Sequence, residues 1–202
     1  MSGDPMVQQL SELRVRGARR RRVRAQALRL AAEEPTAVER VNDLGVHFTA
    51  SAVVMDPATG RVLLMWHRHY DMWLQLGGHC DGDRNLAKVA LREAQEESGL
   101  AGLEVCPVPI DIDLHVCRSA AEPRRNLDVR FLVLAPAGAS RTDTRSPEGH
   151  PLCWRDPAKV AEPHLRQLLS AGRASMEAAL RRPVPHLVGT QRGLETLALA
   201  GT

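Results

Sequence analysis

Residues 77–100 read GGHCDGDRNLAKVALREAQEESGL, and the second half of this stretch narrows the surroundings it can take more than any other segment. On a helix of 3.6 residues per turn Leu86, Val89, Ala90 and Ala94 share one face, with Asn85 placed to cap the start and Gly99 to end it. Glu93, Glu96 and Glu97 stand at i, i+3 and i+4, so three carboxylates converge and repel one another if left unpaired. The apolar face needs a sheet to cover it. The acidic face suits a hard divalent cation such as Mg²⁺ or Mn²⁺, which takes oxygen ligands and supplies the missing positive charge. Arg92, beside Glu93 and four residues before Glu96, can orient a carboxylate. Taken alone, three such glutamates also fit a solvated helix. The preceding loop shifts the balance: Gly77-Gly78 directly after a strand, and Gly82 beyond, let the backbone approach closely and offer amides and carbonyls to metal and phosphate.

The flanking sequence supplies the sheet. Residues 46–56 and 61–68 are β-rich runs joined by Pro57-Ala-Thr-Gly60, which predicts a hairpin. A short run at 73–76 leads into the glycine pair. Further strands are expected at 103–105, 110–117, 127–134 and 152–154. Ile112, Leu114 and Val116 alternate there with Asp111, Asp113, His115 and Cys117, the pattern of a half-buried strand. Residues 5–34 read as one accessory helix with an interrupted apolar stripe, stopped by Pro35 and carrying Arg19 to Arg22 on what is expected to be a solvated face. Residues 156–180 read as mostly helical with Pro163 as a break, and residues 182–202 as an irregular tail.

Composition bounds the class without naming a function. The 202 residues, 44% apolar and 25% charged, fit one globular domain with extensions. A net charge of +3 does not argue for a nucleic-acid partner. Four cysteines, Cys80, Cys106, Cys117 and Cys153, form no C-x-x-C pair, so neither zinc nor a disulfide framework is signalled and reduced thiols are expected. The start MSGDPMVQQL lacks the apolar core of a signal peptide, and no run is long enough to span a bilayer, so the expectation is a soluble cytoplasmic protein without a membrane partner.

In register, residues 78–100 resemble the Nudix box, G-x5-E-x7-R-E-U-x-E-E-x-G-U with U a bulky aliphatic residue. Gly78, Arg92, Glu93, Glu96, Glu97, Gly99 and Leu100 match it. The resemblance implies an α/β (α+β) fold, an α/β/α sandwich with a mixed sheet over about residues 45–172. The N-terminal helix (1–44) and the helix end and tail (173–202) lie outside it. Two positions depart. Ala94 is a small replacement at an aliphatic, core-facing position. Arg84 stands where the family has glutamate, so either Asp81 or Asp83 takes over the acidic role, or Arg84 turns outward or toward substrate phosphate.

The resemblance further implies hydrolysis of a nucleoside diphosphate linked to another moiety, with Mg²⁺ or Mn²⁺ as cofactor. By position, Glu96, Glu97 and the Gly77 carbonyl would hold metal, and Glu93, oriented by Arg92, would be a ligand or the base acting on water. Glu148, with Asp143 near it, is the candidate for a further carboxylate from a late loop. Arg68, His69, Trp73, Gln75, His79 and Arg84 are candidate substrate contacts, since a side chain such as Trp73 can stack on a base or serve the core. Asp111, Asp113, His115 and Asp128 either border that pocket or line an outer strand face. Two alternatives share the fold. An isopentenyl-diphosphate-isomerase-like enzyme would use Cys80 after Trp73, and a Nudix-like module could bind nucleotide without cleaving it. The resemblance also admits a homodimer.

Overall fold

Residues 46–55, mostly β-branched or small, form β1 (Val46–Met55), a central strand buried along its whole length because both faces are covered. Phe48, Ala50, Ala52 and Val54 enter one core and Val53 and Met55 the other. In this computed structural model, which describes residues 3–40, 42–117 and 124–181, β1 organises an eight-stranded mixed sheet.

One edge of β1 runs parallel to β7 (Arg124–Leu134). Its other edge is divided. Val54 and Met55 pair with β2 (Val62–His67), while Thr49 to Ala52 pair antiparallel with β4 (Leu76–His79). The expected hairpin is therefore present, but its strands pair only next to the turn, which frees the rest of β1 to bring the glycine pair into the sheet. Gly77 and Gly78 lie within β4 rather than after a strand. β3 (Met72–Leu74) and β8 (Leu152–Arg155) flank β2, and β5 (Glu104–Val105) and β6 (Asp111–Cys117) flank β7.

Helix α3 (Leu86–Ser98) covers one face of the sheet, together with two helices that the sequence suggested were one, α1 (Pro5–Glu12) and α2 (Ala18–Glu33). The chain breaks between them at Gly17, whose φ of +84° is accessible to glycine, and Arg24 turns back to donate to the carbonyls of Leu10 and Ser11. α4 (Pro163–Leu180) covers the other face through Leu165, Leu168, Leu169 and Met176. Pro163 opens that helix instead of interrupting one, as suits a residue without an N–H to leave unpaired. The layers are those of an α/β/α sandwich. Among the described residues no helix is long and apolar enough to cross a membrane. The tail 182–202 lies outside the described residues.

Two polar expectations change. Arg21 and Arg22 are exposed, but Arg20 makes a two-pronged ion pair with buried Asp111, and Arg19 pairs with Asp113 at 2.8 Å. Nor is Asp111 on a solvated strand face. Asp111 and Asp128 hold Arg130 between them at 3.2 and 2.8 Å, and burial of a guanidinium is tolerated because carboxylates surround it. This ionic strip crosses from α2 through β6 and β7 to Thr49 and Ser51 of β1, which donate to Asp128.

Candidate active site

The acidic helix meets the sheet at β4, and two glycines make the approach close. A Cβ on Gly78 would stand 2.6 Å from the carboxyl carbon of Glu93. Gly77, at φ +148°, sits where a Cβ would press within 2.6 Å of the Ser51 backbone and 2.7 Å of the Ala50 carbonyl. A larger residue at Gly78 would displace the Glu93 carboxylate, and one at Gly77 would press on the backbone of β1. The space goes to carboxylates: Gly77 N–H donates to Glu97 at 2.9 Å, while Arg92 contacts Glu93 at 2.9 Å, Glu96 at 3.4 Å and the His79 carbonyl at 2.9 Å. Arg92 thus ties the helix to the end of β4.

Positive charge is in short supply here. Glu97, 9% exposed, has its carboxyl pushed up to about 8, by burial first, with Glu93, Glu148 and Glu96 adding repulsion and the Gly77 N–H opposing. Glu93 rises to about 7, again by burial first; Arg92 opposes the rise, and Glu96, Asp81 and Glu148 reinforce it. Glu148, on the loop before β8, and Asp81, at a positive φ of 48°, therefore lie within electrostatic reach of the helix carboxylates. Among the described residues no three His, Cys, Asp or Glu side chains are gathered tightly enough to hold a metal as they stand, since Glu93 is turned to Arg92 and Glu97 to the Gly77 amide. The donor set nevertheless fits a hard cation. It consists of carboxylates whose ionisation is opposed by burial and mutual repulsion, which a divalent ion relieves.

A pH dependence follows for the metal-free protein. Both carboxyls have folded-state pKa values above the ordinary 4.5, so the folded state holds protons that the unfolded state has released, and stability falls as pH rises through about 7 and 8. Buried His47, lowered to about 4, acts in the opposite sense below its ordinary 6.5, which makes pH 6.5–8.5 the clean window. Over it the metal-free protein is expected to lose roughly 1–2 kcal/mol, or a Tm lower by a few degrees, with Mg²⁺ restoring more at pH 8.5 than at pH 6.5. A melting temperature that rises across this window without metal would contradict the assignment.

The remaining candidates divide. Gln75 donates to Ser51 and Asp128 at 3.4 Å each, beside Gly77. His79 stacks on His47 with ring centroids 5.1 Å apart, and burial, then Arg40, lowers its pKa. Trp73 packs toward the α4 core, with Trp66 at its edge and the Arg155 guanidinium 4.5 Å over its ring. Arg68 and His69 are exposed; Arg68 reaches the Gly149 carbonyl at 3.0 Å, next to Glu148. Glu148 faces His150 at 3.7 Å. Arg84 neither turns outward nor toward the carboxylates. Its Nε donates to Asp4 at 2.8 Å and Nη2 to the Ala31 carbonyl at 2.6 Å, so it grips the ends of α1 and α2. The partner Asp4 had no signal in the sequence, where it reads as an ordinary polar residue just before an accessory helix.

A NUDIX domain family model matches residues 45–181, and the chain belongs to the Nudix family. No match was found among the curated proteins. Among solved structures, the Escherichia coli dihydroneopterin triphosphate pyrophosphohydrolase is similar at a TM-score of 0.50 and 19% identity, over 63% of this chain and 95% of that one. A Caenorhabditis elegans Ap4A hydrolase is similar at 0.49 and 18%, over 65% and 98%. The NUDIX domain of Shewanella oneidensis NrtR, complexed with ADP ribose, is similar at 0.46 and 18%, over 68% and 94%.

Proposed function

We propose that the chain hydrolyses a nucleoside diphosphate linked to another moiety, with water attacking phosphorus and Mg²⁺ or Mn²⁺ as cofactor. The observation that carries this is the crowding of Glu93, Glu96 and Glu97 with Asp81 and Glu148 beside the glycine pair, where two carboxyls titrate near neutrality. Glu96, Glu97, Glu148 and the Gly77 carbonyl would hold the metal, and Asp81 would supply the acidic support that Arg84 does not. A divalent ion held by these groups would supply charge neutralisation for the diphosphate and activation of water. Glu93, oriented by Arg92, is a further ligand or accepts the proton from water, a task suited to a carboxyl near 7. Gln75 and His79 line the approach from β4, and Arg68 and His69 the loop facing Glu148.

Two observations bear against the alternatives. Cys80 is 1% exposed and burial pushes its thiol far up, which removes the group an isomerase would use. Arg84 and, on the arginine-rich helix, Arg19 and Arg20 are engaged in internal contacts with Asp4, Ala31, Asp113 and Asp111, which withholds them from a nucleotide bound without cleavage. The test is hydrolysis of a panel of nucleoside diphosphate derivatives, followed as release of the nucleoside monophosphate and the phosphorylated second moiety. Turnover that requires Mg²⁺ or Mn²⁺ and stops with chelator is expected; release unaffected by either metal would sink the proposal.

A further inference from the structure

The N-terminal helical hairpin of α1 and α2 does more than cover the core, and its polar contacts concentrate on the six residues that connect β4 to α3 and on the first residue of that helix. Four are present. Gln9, 7% exposed, accepts from Leu86 N–H at 3.0 Å and donates to Asn85 Oδ1 at 2.9 Å. Asn85 Oδ1 in turn accepts from Lys88 N–H at 3.2 Å. Asp4 divides its carboxylate, one oxygen capping α1 at Met6 N–H and the other holding Arg84. Arg84 also binds the Ala31 carbonyl in the last turn of α2. Finally, Gly82 N–H donates to the Val38 carbonyl at 3.3 Å.

A helix leaves its first N–H groups without intrahelical partners. Here the first turn of α3 is completed by two side chains, one local and one from another helix. Asn85 is the ordinary N-cap; Gln9, from 76 residues away, both satisfies Leu86 N–H and fixes which way the Asn85 amide points. Arg84 pulls the preceding residue onto the ends of α1 and α2. The apolar side agrees, since Met6, Leu10, Ala27 and Ala31 join the same cluster as Leu86, Ala87, Ala90 and Ala94.

We propose that Gln9, Asp4 and Arg84 are positioning residues for the reaction centre: the N-terminal hairpin clamps the loop carrying Asp81 and the first turn of α3, and so sets where Glu93, Glu96 and Glu97 stand relative to β4. The inference rests on the metal-dependent hydrolase proposed above. It also accounts for the departure from the box, because an arginine at 84 can grip a carboxylate and a helix C-terminus where a glutamate cannot.

The test uses the full chain and a property other than turnover. Gln9→Leu keeps the buried volume close to native but removes both hydrogen bonds, and Asp4→Asn keeps an acceptor for Met6 N–H while removing the charge facing Arg84. Mn²⁺ binding is followed by electron paramagnetic resonance, amide exchange over residues 80–100 by mass spectrometry, and kcat and KM on the best substrate of the panel. Gln9→Leu is expected to speed exchange at Leu86 to Lys88, weaken Mn²⁺ binding about tenfold and lower kcat with KM nearly unchanged; Asp4→Asn should shift each in the same direction by less. Mn²⁺ affinity and kcat equal to wild type in both variants, with faster exchange at the first turn of α3, would reduce the hairpin to a stability element and overturn the proposal. If the wild type itself binds no Mn²⁺ and hydrolyses nothing, the hydrolase assignment fails and takes this one with it.

Discussion

Glu97→Gln is expected to lower kcat by about 10³-fold or more while making the metal-free protein more stable at pH 8. The substitution preserves shape and an acceptor for the Gly77 N–H, so β4 and α3 keep their contact. It removes a charge that sits 9% exposed among Glu93, Glu96 and Glu148. The sign of the stability change follows from titration. Glu97 has a folded pKa of about 8 against 4.5 ordinarily, so its ionisation opposes folding at high pH, and a neutral amide does not. Opposite movements of stability and activity distinguish a ligand from a structural residue, whose loss lowers both. Thermal melts and single-turnover rates on the same preparation check this; a turnover within tenfold of wild type would remove Glu97 from the chemistry.

Arg84→Glu restores the residue that the family pattern expects, and is expected to damage the protein. Glutamate there faces the Asp4 carboxylate and the carbonyl end of α2 at Ala31, replacing two attractive contacts with repulsive ones. Both partners are about a quarter to a third exposed, and Arg84 Nη1 is buried without an acceptor, which offsets part of the loss. A cost of roughly 2–4 kcal/mol remains, or a Tm lower by about 5–10 °C for a chain of this length. Turnover should fall as well, because the loop carrying Asp81 loses its anchor. A gain in activity with unchanged melting would mean that position 84 serves the acidic site and not the hairpin.

What could be read from the sequence was local. Helix α3 begins at Leu86 and ends at Ser98 as its cap and glycine predict, since Asn85 accepts from Lys88 N–H and Gly99 takes a left-handed conformation. The glutamate spacing likewise placed three acids on one side of that helix, and β1 and β2 were legible from their runs and turn. The remainder depended on partners distant in the chain. Nothing near Arg20 announces Asp111, 91 residues on, and nothing near Arg84 announces Asp4, 80 residues back. An arginine run reads as solvated until the acids that neutralise it are brought alongside by folding. The alternation in β6 misled for the same reason: Asp111 occupies the polar register of an edge strand, yet Arg130 and Arg20 allow it to be buried. The break between α1 and α2 was available in principle at Gly17, but the apolar stripe continues across it and periodicity alone cannot detect a turn in space.

The proposed reaction has water attack phosphorus at the Glu93, Glu96 and Glu97 face of α3 and requires a divalent cation. Hydrolysis in ¹⁸O-labelled water, with the responsive member of the nucleoside diphosphate panel and Mg²⁺ or Mn²⁺, tests it most directly. Wild type is predicted to place one labelled oxygen on a phosphate-containing product, at a rate that Glu97→Gln reduces by about 10³-fold. Label absent from phosphate, or incorporated equally fast by Glu97→Gln, would contradict the account.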